Sequence, residues 1–429
     1  MTRPDFTGLD PCVHCGFCLQ SCPTFVVTGD EADSPRGRIV LMRSLARDPA
    51  AARDPELRFH LDRCLGCRAC EPVCPSGVRY GPSLEAAREV VGETRELPIM
   101  ARLVLATMAD GTLRRPAMAA ARMLRPLAKR LAGKSKIGFA MGMLGATKET
   151  VGRLDGRTAS ESGSLGHRGL VDGATVQPSN RPTVVFRGCI MEGLFSHVNQ
   201  ATQRTLAANG YRVVDVRGQG CCGALHAHAG LHNKAQELAR INVRAFAAAP
   251  DAAIAVNSAG CGAAMKDYGH LLGDDPLAGA ARDFAARTKD VSELLAARGP
   301  RAGGELKLRV AYDPPCHLLH AQRIALDPIA LLDAVPGIAR TAHVESEMCC
   351  GSAGIYSLLE PDLSRAVLAR KTKALIEAGP DVVATGNPGC AMQLGAGLRA
   401  EGSDIPVVHP VELLDHSYQA AGWYDSIVP

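Results

Sequence analysis

The chain has 429 residues, 46% of them hydrophobic and 21% charged, with a net charge of +4. That length makes two or three domains, and the composition supports ordinary cores and excludes a disordered chain. Aromatic residues, at 4%, offer no base-stacking platform, so nucleic acid is not an expected partner.

Sixteen cysteines without a secretory signal pattern speak for metal ligation in a reducing, cytoplasmic compartment rather than a secreted disulfide scaffold. The longest uncharged stretches, such as Ile137–Thr147 and Ala252–Met265, fall short of the roughly 20 residues that span a bilayer.

The first predicted element is a doubled cysteine run, CVHCGFCLQSCP at Cys12–Pro23 and CLGCRACEPVCP at Cys64–Pro75. Both read C-x2-C-x2-C-x3-C-P, the spacing that holds [4Fe–4S] cubanes in pairs. Three close thiolates take three corners of a cube. The fourth, turned away by its proline, ligates the other cluster. The pattern therefore predicts one cluster on Cys12, Cys15, Cys18 and Cys74, and a second on Cys64, Cys67, Cys70 and Cys22. A zinc ribbon needs two C-x2-C pairs, not this longer run twice over. His14, inside the first loop, reads as a tuner of potential, because four thiolates are already supplied.

Between the runs, Ser34-Pro35 supplies an N-cap and a first-turn proline, and Ile39, Met42, Leu45 and Ala46 follow at helical spacing. A second short helix is expected over Pro55–Asp62. Helices in this place resemble the α-helical ferredoxin domain of succinate dehydrogenase and fumarate reductase iron–sulfur subunits. Residues 1–92 are assigned to such a two-cluster domain.

Residues 93–153 read as a basic helical segment. From Arg95 to Lys136 ten basic residues stand against two acidic ones, with Leu103, Met108, Met118, Met123, Leu124 and Leu127 between them. Such a segment suits an anionic membrane surface or an acidic partner, but basic faces are common, and a solvated face packed on its own domain is the preferred expectation. Residues 154–182, rich in Gly, Ser and Thr, are expected to be a flexible linker.

An internal repeat follows. Val184–Cys189 and Val310–Cys316 each read as a strand running into a cysteine. Each is followed by a helix, a strand (Tyr211–Val216; Ala339–Val344), Cys-Cys-Gly, a helix (Leu231–Ala249; Asp362–Ala378) and a strand ending in a lone cysteine. Cys316, Cys349 and Cys390 follow Cys189, Cys221 and Cys261 by 127, 128 and 129 positions. This is a duplicated α/β module, residues 183–300 and 301–429, with its cysteines at strand carboxyl ends, where α/β sheets bind ligands. The fold class is thus multidomain: an α-helical ferredoxin-like domain plus duplicated α/β Cys-Cys-Gly modules.

The repeat resembles the Cys-Cys-Gly domain of heterodisulfide reductase and related oxidoreductases, whose pattern closes on Cys-x2-Cys. Here that pair is broken, as Ser258-Ala-Gly-Cys261 and Asn387-Pro-Gly-Cys390. Each module keeps four cysteines: Cys189, Cys221, Cys222 and Cys261, then Cys316, Cys349, Cys350 and Cys390. These are candidate sites for an additional iron–sulfur cluster or for zinc. Adjacent cysteines cannot easily reach one small ion together, which favours the larger group. His226, His228 and His317 lie close enough in sequence to complete a metal shell, although a hydrogen-bonded histidine is the commoner case.

As a whole, the order of paired ferredoxin motifs, linker and two Cys-Cys-Gly modules resembles the iron–sulfur subunits of bacterial glycolate oxidase. CVHCGFCLQSCPTF, GDEADSPRGRI, HLDRCLGCRACEPVCPSGVRYG, SAGCGAAMKDYG and GCCGALHAH carry the resemblance. It implies an oxidoreductase subunit without catalytic residues of its own. A partner FAD subunit would oxidise the 2-hydroxy acid, and electrons would pass through two [4Fe–4S] clusters towards a quinone or other membrane acceptor. The expected location is cytoplasmic, peripheral at the inner face of the plasma membrane. No P-loop lysine motif is present, consistent with nucleotide chemistry held elsewhere. The alternatives are a subunit of a related lactate or anaerobic glycerol-3-phosphate dehydrogenase, or a heterodisulfide reductase-like thiol/disulfide enzyme.

Overall fold

The computed structural model describes residues 5–148 and 179–424. Most of the stretch expected to be a linker, 154–178, lies outside the described residues; its last positions already belong to the first strand.

The N-terminal part is helical. α1 (Pro23–Thr28), α2 (Pro35–Arg47) and α3 (Pro55–Asp62) lie between the cysteine runs, and α4 (Tyr80–Thr94) closes the domain. Proline occupies the first turn of α1, α2 and α3, where its missing N–H costs nothing. Ser34 and Asp54 accept the Gly37 and Glu56 amides at 3.0 and 2.9 Å, capping α2 and α3. Ile39, Met42 and Leu45 of α2 meet Leu57, Leu61 and Leu84 in one buried cluster, each fully buried Leu contributing about 2 kcal/mol.

The basic segment is not one helix but three: α5 (Ile99–Ala109), α6 (Gly111–Leu131) and α7 (Lys136–Ala146). They fold back across the two modules. α7 packs on the helix Pro388–Ala400 so closely that a Cβ at Gly395 would stand 2.6 Å from that of Ala146, and one at Gly142 would stand 3.3 Å from Ala396. Its uncharged run is therefore a helix–helix contact. No helix among the described residues is long and apolar enough to cross a membrane.

Each module is a four-stranded, wholly parallel sheet. The first has the order β2-β1-β3-β4, with β1 Ser179–Val185, β2 Tyr211–Val214, β3 Ala253–Val256 and β4 Thr288–Asp290. The second repeats it as β6-β5-β7-β8, with β5 Leu308–Tyr312, β6 Ile338–Arg340, β7 Val382–Ala384 and β8 Val407–Val408. The expected strands are present but end earlier: β1 and β5 start before Val184 and Val310 and stop short of Cys189 and Cys316, β2 ends at Val214, and β6 pairs for three residues before the chain turns towards Cys349. The helices after the Cys-Cys-Gly motifs run His232–Phe246 and Pro361–Ala378. Even the terminal helices match, since Asp290 with Glu293 and His409 with Glu412 form capping boxes.

One apolar core runs through both modules, joining Val185, Leu206 and Leu238 to Leu331, Leu375 and Leu414. The modules meet at their strand ends, where the Ala259 amide donates to the Gly386 carbonyl at 3.1 Å. Away from that seam, Arg204 pairs with Asp415 at 2.6 Å.

Candidate metal centre

The two ferredoxin loops share one backbone shape. Residues on either side of the second cysteine are left-handed in both: His14 (φ 55°) and Gly16 (φ 88°) around Cys15, Gly66 (φ 64°) and Arg68 (φ 62°) around Cys67. Each loop thus spends one glycine and forces one side chain into a conformation most residues avoid. Such alternation curls the chain into a cup with its amides facing inward.

Cys12, Cys15, Cys18 and Cys74 line one small cavity, which Cys70 borders as well. Cys22, Cys64, Cys67 and Cys70 line a second. None of the sixteen cysteines is joined in a disulfide. Four soft donors around each cavity fit a cubane, and these residues are the ones that would hold it.

The two places differ in exposure. Cys15 is exposed, and Val13 and Phe17 beside it are 71% and 69% exposed. His14 faces Arg43, its Nε2 lying 3.0 Å from the guanidinium. Cys22, Cys64 and Cys67 are buried. Arg38, fully buried, donates to Thr24 Oγ1 at 3.0 Å and the His60 carbonyl at 2.7 Å, approaches Cys22 Sγ at 4.0 Å, and pairs with buried Asp33. Burial pushes the Cys64 thiol up, yet the positive charges of Arg38 and Arg88 outweigh it and hold Cys64 below the ordinary thiol range. Cys67 and Cys70 lack that help, and burial raises both well above it.

The Cys-Cys-Gly glycines are dictated by geometry. Gly223 and Gly351 are left-handed, at φ 85° and 84°, and a Cβ would stand 3.1 Å from the Ala235 carbonyl oxygen and 2.5 Å from that of Ser364. This turn lets both neighbouring cysteines face one space. Cys189 meets Cys221, Cys221 meets Cys222, and Cys222 lies 3.3 Å from Cys261. In the second module Cys316 lies 3.9 Å from Cys349, Cys349 meets Cys350, and Cys350 meets Cys390. Hydrogen bonds from Cys189 and Cys222 hold Cys221 well below the ordinary thiol range, while the partners that donate are raised.

Two separate sites were expected; the structure joins them. All eight module cysteines line a single cavity of about 360 Å³ at the meeting of the two sheets. Its other wall comes from the basic segment, through Val104, Met108, Ala140, Met143 and Leu144. Nothing in the periodicity of that segment pointed there, because its lining positions are ordinary apolar helix residues. Thiols in contact with one another are the donor set that a multinuclear metal group satisfies.

His228 and His317 line this cavity too, their rings 5.3 Å apart, with the His228 Nδ1 finding no hydrogen-bond partner among the described residues. His226 does not reach it; it is buried beside Cys221. The buried ferredoxin loop touches the second module directly: Leu65 and Cys67 share an apolar cluster with Cys349, Tyr356 and Leu363, and the Tyr356 hydroxyl donates to the Arg63 carbonyl at 2.9 Å.

The 4Fe-4S dicluster domain family matches residues 8–78, and the cysteine-rich domain family matches residues 183–266 and 310–395. The probable glycolate oxidase iron–sulfur subunit of Bacillus subtilis is 35% identical, over 98% of this chain and 96% of its own length. The chain belongs to the glycolate oxidase iron–sulfur subunit family. The Escherichia coli glycolate oxidase iron–sulfur subunit is 33% identical, over 96% of this chain and 94% of its own length. More distantly, a fumarate reductase (CoM/CoB) polypeptide of Methanothermobacter marburgensis is 27% identical over 96% of this chain and 73% of its own length. Family membership makes the chain an iron–sulfur component of an oxidoreductase complex.

Proposed function

We propose that this chain is the electron-transfer subunit of a glycolate-oxidising complex. It takes electrons from a partner FAD subunit at the exposed Cys12–Cys18 loop and releases them to a quinone-class acceptor at the eight-cysteine cavity. The observation that carries this reading is the graded order of thiols. A set that reaches the surface at Cys15, rimmed by Val13 and Phe17, is followed by a more deeply buried set, and that set packs through Cys67 against Cys349 of the cavity.

The ligand sets Cys12, Cys15, Cys18, Cys74 and Cys64, Cys67, Cys70, Cys22 are supported by the two cavities those residues line. Two cubanes bound there would supply one-electron transfer. The chain's own residues do the rest. Arg38 and Arg88 offset negative charge around Cys64, and the apolar packing of Leu65, Tyr356 and Leu363 keeps water from the contact between the domains. The module cysteines are read as ligands of a further metal group, iron–sulfur before zinc.

A peripheral position on an anionic bilayer is supported by the outer face of α5–α7. Ile99, Met100, Leu103, Met123, Leu127 and Ile137 are exposed there among Arg102, Arg115, Arg130 and Lys136.

Co-purification with the FAD subunit tests the reading. The isolated chain should bind no flavin and oxidise no glycolate, and the partner should reduce a quinone only when this chain is present. Glycolate oxidation by the isolated chain would overturn it. Anaerobic metal analysis should exceed the about eight irons of two cubanes; a count stopping there, with no zinc, would remove the metal reading of the modules.

A further inference from the structure

Three neighbouring spaces with shared walls lie where the ferredoxin domain meets the modules. An open cleft of about 520 Å³ separates Arg79, Ser83 and Glu89 on one side from His232, Arg240 and His270 on the other. Glu85 of α4 and Asp267 of the first module line this cleft, and both also line a narrower seam that continues inward past Arg68 and Arg88. At the far end of the seam stand Cys222, Gly260, His228 and His317, all of which line the eight-cysteine cavity as well. Each space thus shares wall residues with the next, from the surface cleft to the thiols.

The cavity's own lining supplies no carboxyl or amine to hand on a proton. Among the described residues no Asp, Glu, Lys or Arg lines it. A quinone-class acceptor that receives two electrons must also receive two protons, one on each carbonyl oxygen, to leave as the neutral hydroquinone. The balance closes on the substrate side, where a 2-hydroxy acid becomes a 2-oxo acid and releases two electrons and two protons at the partner's flavin. Electrons travel through the protein, but protons released at a remote flavin need an inlet of their own. The apolar wall of Val104, Met108 and Met143 carries no group that could relay them.

We propose that Glu85, paired with Asp267, admits protons from the cleft into the seam that serves the eight-cysteine cavity. This deepens the reading of that cavity as the place where the acceptor is reduced, and rests on it.

The surroundings of Glu85 suit the task. Withdrawal from water, and then the facing Asp267 carboxylate, raise its carboxyl to about 7 against the opposing pull of Arg68 and Arg88. Burial raises Asp267 as well. A carboxyl poised near neutrality both takes and gives a proton readily. The charges nearby are mixed, so no single neighbour locks either state. The ferredoxin side contributes Asp5, Arg68, Glu71, Arg79, Arg88 and Glu89. The module side adds His232, Arg240, His270, Asp274 and Asp275. A purely structural role would make Glu85 a permanent ion pair, yet neither Arg68 nor Arg88 is joined to it by a salt bridge, Arg68 being engaged by Glu71 at 2.8 Å.

The test uses Glu85→Gln and Glu85→Asp in the complex with the flavin subunit, at matched iron content, with a short-chain water-soluble quinone and ferricyanide as acceptors. Ferricyanide takes electrons and no proton. The expected result for Glu85→Gln is an unchanged ferricyanide rate, quinone reduction lower by on the order of 100-fold, and loss of the pH limb near 7. Glu85→Asp should recover most of the quinone rate. On the chain alone, an infrared carboxylic-acid band titrating near pH 7 should vanish in Glu85→Gln. Equal quinone rates and pH profiles for wild type and Glu85→Gln would overturn the proposal, as would persistence of that band. A wild-type complex that reduces ferricyanide but no quinone would instead overturn the acceptor reading beneath it.

Discussion

Ser258 and Asn387 meet across the seam between the two modules. The serine hydroxyl donates to Asn387 Oδ1 at 3.4 Å, and the Gly260 amide reaches the same oxygen at 3.1 Å. They are equivalent positions in the two repeats, each three residues before its module's last cysteine. A further thiol is expected at these places in the Cys-x2-Cys pattern of the resembled domain; here they join the modules to each other. Asn387 also turns its amide to Cys390 Sγ at 3.4 Å.

The two partners of that contact should not be equally costly to remove. Asn387→Ala strips the Gly260 amide of its acceptor and should destabilise the chain by about 1–2 kcal/mol. Ser258→Ala loses a single long bond and should cost about 0.5 kcal/mol or less. Denaturant unfolding of the full chain under anaerobic conditions measures both. An equal cost would show that the seam does not depend on Asn387.

Crossed ligation makes a claim about Cys74. Cys74→Ser should damage the centre whose other thiols are Cys12, Cys15 and Cys18, with which Cys74 shares a cavity, and spare the Cys64 set. Paramagnetic resonance of the reduced variant distinguishes the two, because only the exposed centre should be lost. Loss of the Cys64-Cys67-Cys70 signal would reverse the assignment.

Lipid association should depend on some arginines of the basic segment and not on others. Arg122 and Arg125 donate inward, to the carbonyls of Gly193 and Leu194, at 3.1 and 2.5 Å. They hold α6 to the first module and are poor probes of its outer face. Reversing Arg102, Arg115, Arg130 and Lys136 to Glu should abolish co-sedimentation with phosphatidylglycerol vesicles, and wild-type binding should weaken as salt shortens the screening length to about 10 Å at 0.1 M. Binding unchanged by both manipulations would leave a solvated face.

Glu412 should make stability pH-dependent. It is buried, and burial raises its carboxyl to about 8, while burial lowers neighbouring His197 to about 4. Between those values the carboxyl is protonated and the imidazole neutral, so their 3.4 Å contact is not an ion pair. Because the folded carboxyl holds its proton more tightly than the unfolded one, its stabilising contribution is complete below about pH 4.3 and is lost as pH rises through about 8. Glu412→Gln should flatten this part of the stability profile, as read by unfolding at pH 5, 7 and 9. A profile as steep as that of wild type would place the dependence elsewhere.

The local features were legible in the chain because their causes are local. The C-x2-C-x2-C-x3-C-P spacing, the capped helices at Pro35 and Pro55, and the repeat offsets near 128 residues each depend on neighbours a few positions apart or on duplication. The Cys-Cys-Gly motifs were legible through the same duplication, whereas the need for glycine at 223 and 351 shows only in the fold, where a Cβ would meet Ala235 and Ser364 of the following helices.

Other facts arose only when distant segments packed. Eight cysteines from two modules entered one cavity because the sheets meet at their carboxyl ends. Helices α5 and α7 became its wall, α7 through glycines at 142 and 395 that let it approach the second module. The same packing turned Arg122 and Arg125 inward, set Cys67 against Cys349, and brought Glu85 opposite Asp267. No periodicity encodes these pairings. A residue's spacing along its own helix or strand says which face it occupies, while the element that covers that face is chosen by the packing of the whole chain.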